Sequence, residues 1–188
     1  MNITELCSSR KQALVERWVN SFFASYPLDS KGFLRTRRDR FANPVGETTR
    51  MAAEVLFDAA AGADADPNTV RQALHDLLWI RAVQDMPPSK AVGALYLLKD
   101  ELRRDVLPAW LDAVSERKQA LSEYLAVESR IDTLGLMALD MYSDARERVF
   151  RIRVEEIKHS QSQLIRLAGL RREQAVPAPE TENRGVEE

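Results

Sequence analysis

Two histidines and one cysteine are the side chains of this sequence best suited to hold a metal or to act as a nucleophile. Neither His75 nor His159 has a neighbouring Cys, Asp or Glu arranged like a known metal motif. We interpret His75 as a partly buried structural histidine, and we place His159 in the polar distal part of the last helix. Cys7, near an end expected to fray, is either a redox-sensing thiol or, as we favour, a thiol without function.

The motifs of the common enzyme classes are missing from the chain. It contains no G-x-G-x-x-G, no phosphate-binding P-loop, no G-x-S-x-G and no C-x-x-C. The sequence therefore predicts a protein that is not an enzyme and that binds no metal and no cofactor.

Four arginines form the densest basic cluster, and such a cluster could bind phosphate: Arg35, Arg37, Arg38 and Arg40. A nucleic-acid-binding face needs more basic residues around it, and the whole chain has 27 basic against 29 acidic side chains. We therefore favour a solvated or partner-facing segment and expect no nucleic-acid binding.

Polar side chains also concentrate where two prolines interrupt an apolar helix, a segment that we call the proline corner. Proline fixes φ and lacks an amide hydrogen, so one helix stops there and another begins, with Ser89 as its expected side-chain cap. These polar groups could contact a ligand, but we favour hydrogen bonds to the exposed helix ends. The residues singled out here are Arg81, Gln84, Asp85, Pro87, Pro88, Ser89 and Lys99.

The elements that must position these residues are helices, because no segment shows the period-two alternation of a strand. We predict an all-α, single-domain fold of about six helices over residues 1–172, followed by a disordered acidic tail over 173–188. Asp66 should cap a helix beginning at Pro67, and Pro108 should kink or break the helix after the corner. The predicted helices cover residues 2–26, 28–40, 47–61, 67–85 and 89–107, and a long final helix ends at about residue 172.

The final helix changes character along its length. From Ile131 to Ile152 its apolar residues form one stripe, and beyond Ile152 the stripe shifts and charged residues surround it. We interpret the later part as a solvated arm or a coiled-coil partner face. Apolar rows left in water usually find a partner, so we expect a homodimer, although a different protein could cover the same row. The candidate dimer or partner face is Ile157, Leu164, Ile165 and Leu167.

The start of the chain has neither the basic residues nor the continuous apolar stretch of a secretion signal. No window approaches the roughly 18 uninterrupted apolar residues that a membrane-spanning helix requires. We therefore expect a cytoplasmic protein without membrane insertion. Trp79, Met86 and Tyr96 are expected to bury apolar surface around the proline corner.

Four ordered stretches of the chain resemble one known family. Residues 81–99 read RAVQDMPPSKAVGALYLLK, and LVERW begins at Leu14, ahead of Tyr26-Pro27. RFANPVG begins at Arg40, and LDMYSDARE begins at Leu139. Together these stretches resemble the N-terminal domain of RsbRD-type RsbT co-antagonists, the sensory halves of bacterial stressosome proteins.

This resemblance implies a globin-like, haem-free helical bundle that dimerises. In that family the last helix leads into a STAS domain that binds the switch kinase. Here 16 residues follow Arg172, whereas a domain needs at least roughly 50. We therefore expect a stand-alone form without a STAS domain, and we do not transfer the kinase-binding activity.

Two functions are compatible with the sequence. The first is a non-enzymatic regulatory or sensory module that acts through protein–protein interaction as a homodimer. The alternative is an accessory protein of a respiratory or other redox complex, because stand-alone relatives occur in anaerobic bacteria with extensive respiratory machinery. A stable stoichiometric partner would favour the accessory protein, and a ligand-dependent change in an isolated dimer would favour the sensor.

Overall fold

The computed structural model describes residues 2–24 and 43–174, with side chains up to Leu167. These residues are almost entirely helical and include no strand, so the predicted all-α class is confirmed. The predicted helix over 28–40, with its four arginines, and residues 175–188 of the predicted tail lie outside this range. The five described helices are α1 (Ile3–Ala24), α2 (Pro44–Ala61), α3 (Pro67–Val83), α4 (Pro88–Ala113) and α5 (Arg117–Gln174).

Three of these helices begin at a proline, whose fixed φ suits the first turn and whose missing N–H needs no partner there. Asn43 caps α2 by accepting a hydrogen bond from the Gly46 N–H at 2.9 Å. Asp66 caps α3 by accepting one from the Thr69 N–H, also at 2.9 Å. The cap predicted at Asp66 is therefore confirmed.

The end of α2 is tied to α5. Gly62 follows α2 in the left-handed conformation, with φ of 82°, which suits a residue without a Cβ. The carbonyls of Ala60 and Ala61 accept hydrogen bonds from Arg130 of α5, at 2.9 and 3.2 Å. A Cβ on residue 62 would lie 2.7 Å from the Arg130 guanidinium, so a larger side chain would disturb this cap as well as strain the backbone.

α4 continues through Pro108 to Ala113, although a proline removes a donor from the helix interior. Of the kink or break predicted at Pro108, the break is therefore wrong. Pro108 is exposed, and the carbonyl of Asp105, three residues earlier, accepts a hydrogen bond from Arg10 Nη1 at 2.5 Å. Pro108 leaves the Arg104 carbonyl without its helical donor, and the contact from α1 is made at the next carbonyl, that of Asp105.

Trp18 and Gly135 mark close contacts of α1 and α5 with α4. The Trp18 ring of α1 is 1% exposed, and its Nε1 donates a hydrogen bond to the Ala94 carbonyl of α4 at 2.9 Å. Its ring centroid lies 5.1 Å from that of Phe22. Gly135 of α5 approaches Tyr96 of α4 so closely that a Cβ would collide with the tyrosine ring. Small and large residues therefore alternate at these helix contacts.

The described residues form two compact units, one up to Arg148 and one from Val149 onward. In the second unit the described side chains after Val149 are exposed, apart from the half-buried Val154. Ile152, the last residue of the apolar stripe predicted for the final helix, is exposed as well. The buried members of that stripe are Ile131, Leu134, Ala138, Ala145 and Val149.

Two tryptophans give a matched test of burial. Trp79, which was expected to bury apolar surface, is only half-buried and stacks on the His75 ring. We expect Trp18→Ala to lower the free energy of unfolding by about 3–5 kcal/mol, because a filled core position becomes a cavity. Trp79→Ala should lower it by about 1 kcal/mol, because less surface is lost. Urea unfolding followed by circular dichroism measures both, and equal losses would contradict the difference in burial.

Candidate functional site at the proline corner

The end of α3 is closed by a Schellman motif. The N–H of Met86 donates to the Arg81 carbonyl, and the N–H of Asp85 donates to the Ala82 carbonyl, both at 3.1 Å. Asp85 takes the left-handed position of this motif with φ of 57°, where most helices have glycine. The corner therefore holds a strained residue that also carries a charge.

The two prolines start α4 without a side-chain cap. Pro87 is the N-cap residue, and Pro88 is the first residue of the helix. The predicted Ser89 cap is therefore wrong, because Pro88 has already taken the first helical position. The Pro87 carbonyl instead accepts hydrogen bonds from the N–H groups of Lys90 and Ala91, both at 2.9 Å.

The Arg81 side chain joins α3 to the first turn of α4. It is 1% exposed, and its Nη1 donates to the carbonyls of Lys90 and Ala91, both at 3.2 Å. Nη1 also lies 3.7 Å from the Met86 sulfur, and the guanidinium carbon lies 4.7 Å from the centre of the Phe22 ring. Burying a cation is costly unless directed contacts compensate, and here α1, the corner and α4 all supply them.

Two side chains of α5 hold the same corner. The Tyr142 hydroxyl donates to the Met86 carbonyl, and Arg146 forms an ion pair with the Asp85 carboxylate. Burial raises the pKa of Tyr142, which keeps its hydroxyl protonated as a donor. Sequence reasoning missed these contacts, because the partners lie 56 and 61 positions apart along the chain. The only signal was that both residues fall in the LDMYSDARE stretch.

The remaining residues singled out from the sequence do not converge on one point. Lys99 lies further along α4, where its Nζ is 2.7 Å from an Asp132 carboxylate oxygen of α5 and 5.8 Å from the centre of the Tyr96 ring. Arg81 and Asp85 are therefore the two that make side-chain contacts at the corner. The others lie at its exposed surface: Gln84, Pro87, Pro88 and Ser89.

Ion pairs join α4 to α5 and to α1. Arg103 of α4 binds both carboxylate oxygens of Glu128 on α5, at 2.8 and 3.1 Å. Arg17 of α1 bridges Glu101 at 2.7 Å and Asp105 at 2.6 Å. Hydrogen bonds from Arg103 lower the pKa of Glu128, and hydrogen bonds from Arg17 lower the pKa of Asp105. Both carboxylates are thereby kept ionised by the fold.

The candidate metal and redox residues lie in unrelated places. His75 is exposed rather than partly buried, and its Nδ1 lies 3.1 Å from Oδ1 of Asp76. His159 is also exposed, and its Nε2 lies 3.0 Å from Nε2 of Gln163. Cys7 is fully buried within α1 and not at a frayed end, and burial raises its pKa to about 11, which disfavours the reactive thiolate. Within the described part of the chain, no group of His, Cys, Asp and Glu is arranged to hold a metal.

A groove of about 580 Å³ lies between α1 and α2. Its lining includes Lys11, Glu16, Phe23, Arg50 and Glu54, so it combines both signs of charge with an aromatic ring. This mixture favours no single class of ligand. The groove shares no residue with the proline corner, and the corner therefore remains the better-defined cluster.

Residues 12–157 match the family described as the N-terminal domain of the RsbT co-antagonist protein rsbRD. The chain belongs to this family. The resemblance carried by the four sequence stretches is thereby confirmed. No curated protein and no solved structure matches the chain.

As an RsbRD N-terminal domain, the chain is of a stressosome type whose members are regulatory or sensory. The matched residues include the whole proline corner and both α5 side chains that hold it, Tyr142 and Arg146. Among the helices described for this RsbRD domain, none is long and apolar enough to cross a membrane.

The left-handed residue of the RsbRD corner gives a stability test. Asp85→Gly should change the free energy of unfolding by less than about 1 kcal/mol, because relief of the positive φ offsets the lost exposed ion pair with Arg146. Asp85→Val should cost at least about 2 kcal/mol, because a β-branched residue fits this conformation poorly. The urea unfolding midpoints of the two variants measure this difference in stability. A valine variant as stable as the glycine variant would contradict the left-handed assignment.

Acid should weaken the contact between α1 and α4. Arg17 holds the pKa of Asp105 below its value of about 3.9 in the unfolded chain, so the carboxylate stabilises the fold above that pH. The stabilisation is lost as the pH falls through the lower folded pKa. We expect the urea midpoint to drop between about pH 5 and pH 2, and to drop less in Asp105→Asn. Asp112→Asn, which alters an exposed carboxylate of α4, is the control and should retain the full drop.

Proposed function

We propose that this chain is a non-enzymatic regulatory module that acts as a homodimer and signals through protein–protein contacts. The proposal rests on one observation: before Arg148, α5 both contacts the proline corner and exposes a set of leucines. On this helix Tyr142 and Arg146 contact the proline corner, while several leucines are exposed. Family membership supports a regulatory role, and the exposed leucines support contact with another chain.

The proposed homodimer face is a leucine row on one side of α5. At about 100° per residue, its four members fall within about 60° of one another around the helix axis. Each is at least 45% exposed. Two copies related by a two-fold axis can bury such a row against itself, so that the same residues serve both chains. The row consists of Leu121, Leu125, Leu136 and Leu139.

Two acidic residues, Glu128 and Asp132, interrupt the leucine row. Arg103 binds Glu128, and Lys99 lies 2.7 Å from Asp132, so α4 supplies a cation for each carboxylate. Neutralised pairs can lie at an interface at a lower desolvation cost than isolated charges. The acidic residues are therefore compatible with a dimer along this row.

In the proposal, the corner is where a signal would reach α5. A partner or ligand that shifts the turn between α3 and α4 would displace Met86 and Asp85. Their contacts with Tyr142 and Arg146 would pass this shift to α5, on which Leu139 lies one turn before Tyr142. A rigid helix shared by both surfaces is a physical means of coupling them.

Sedimentation equilibrium tests the homodimer. We expect the full chain to be dimeric at micromolar concentration, and the double variant Leu125→Arg, Leu136→Arg to be monomeric, because arginines would be buried without partners in the interface. Met51→Arg is the matched control, since Met51 is an equally exposed apolar residue on α2. It should remain dimeric. A monomeric wild-type chain would overturn the homodimer.

Purification from the native source separates the proposal from the alternative role in a respiratory or redox complex. A chain that is recovered in fixed stoichiometry with a subunit of such a complex would support the accessory role. A homodimer recovered without such a subunit would support the regulatory module.

A further inference from the structure

α5 carries a second apolar row within the unit that begins at Val149. Phe150, Ile157 and Leu164 recur at intervals of seven residues and are 68%, 57% and 67% exposed. Val154 and Gln161 lie between them, four residues after one member and three before the next. This spacing is that of a coiled-coil seam, with the first three residues at position d and the other two at position a. We call these five residues the heptad row.

The charged residues beside the heptad row are all basic. The flanking e positions hold Arg151, Lys158 and the exposed Ile165. The flanking g positions hold Arg153, Ser160 and the exposed Leu167. The acidic residues of the same stretch, Glu155 and Glu156, fall at the outer positions b and c. The charged residues on the two flanks, which we call the basic rim, are therefore Arg151, Arg153 and Lys158.

A second copy of the chain fits this rim poorly. In a parallel pair, a g residue of one helix meets the next e residue of the other, which would bring Arg153 of one copy beside Lys158 of the second. In an antiparallel pair that aligns the whole row, e residues meet e residues, which would bring Lys158 of one copy beside Lys158 of the second. Like-charged neighbours destabilise helix pairing and set the choice of partner.

We propose that the heptad row binds an amphipathic helix of a different protein, one whose apolar seam is flanked by glutamate or aspartate. Acidic flanks would face the basic rim and so complement it. Gln161 would favour one register, because a polar residue at an a position pairs best with another polar residue. The inference rests on the proposed regulatory function, for which it names the partner class. It does not depend on the leucine row, whose residues are different.

Two synthetic helical peptides of equal length test this with the full chain. Both carry leucine at positions a and d except for one glutamine at the a position that would face Gln161, and one has glutamate at every e and g position where the other has lysine. We expect the glutamate peptide to bind with micromolar affinity that weakens as salt is added. The lysine peptide should bind at least about tenfold more weakly. Isothermal titration calorimetry measures both, and equal binding of the two peptides, or binding of neither, overturns the proposal.

A matched pair of charge reversals locates the contact. Lys158 flanks the heptad row, whereas Arg166 lies at the outer f position, and both are exposed. Lys158→Glu should weaken binding of the glutamate peptide several-fold, and Arg166→Glu should change it by less than about twofold. Equal weakening by both variants would mean general attraction between charges rather than recognition at the row, and would overturn the proposal.

Two further variants separate this proposal from the homodimer. Ile157→Arg should lose the glutamate peptide and still sediment as the wild type does, because the leucine row is intact. The double variant Leu125→Arg, Leu136→Arg should still bind the peptide, whether or not it is monomeric. If Ile157→Arg abolishes self-association instead, a second copy occupies the heptad row, and the acidic partner helix is wrong even though the homodimer stands.

Discussion

The buried guanidinium of Arg81 is the constraint on which the arrangement around the corner depends. A cation that is 1% exposed is tolerated only where fixed dipoles and ring electrons replace water. Its replacements are carbonyls of Lys90 and Ala91 at the start of α4 and the Phe22 ring of α1. All three groups must therefore be in place at once, which fixes the end of α3 relative to α1 and α4. The Schellman turn and the two prolines make this geometry available locally.

α5 adds further contacts to the corner that Arg81 joins to α4. Tyr142 binds the carbonyl of Met86, the residue that follows the left-handed Asp85, so the strained turn is held on its backbone as well as on its side chain. Glu128 and Asp132 add charged contacts to α4 further along the same helix. Strain at a turn persists only where surrounding contacts over-determine it, and α5 supplies those contacts here. The element that stabilises the corner is thus also the one that carries both exposed apolar rows.

Features with a local cause could be predicted from the sequence, and features with a distant cause could not. Asp66 followed by Pro67 marks a helix start by itself, and the cap is found as predicted. Pro108 predicts a kink or break, yet α4 continues through it, while Arg10 of α1 holds the same turn through the Asp105 carbonyl. Tyr142 lies in a recognisable stretch, but its partner is 56 positions away, and no spacing rule connects them. Family resemblance marked which stretches matter without showing which atoms meet.

The two apolar rows of α5 differ in what surrounds them, and this difference bears on which chain each row can meet. Along the leucine row, the two acidic residues Glu128 and Asp132 are paired with Arg103 and Lys99 of α4, so a second copy would meet carboxylates that already have a cation. Along the heptad row, the flanking charges share one sign, and a second copy would bring that sign against itself. Hydrophobic burial would favour both proposed contacts with little regard to partner, because it is not directional. In the proposal, selectivity must therefore come from the flanking charges, which would allow one helix to pair with itself in one segment and with a different protein in the next.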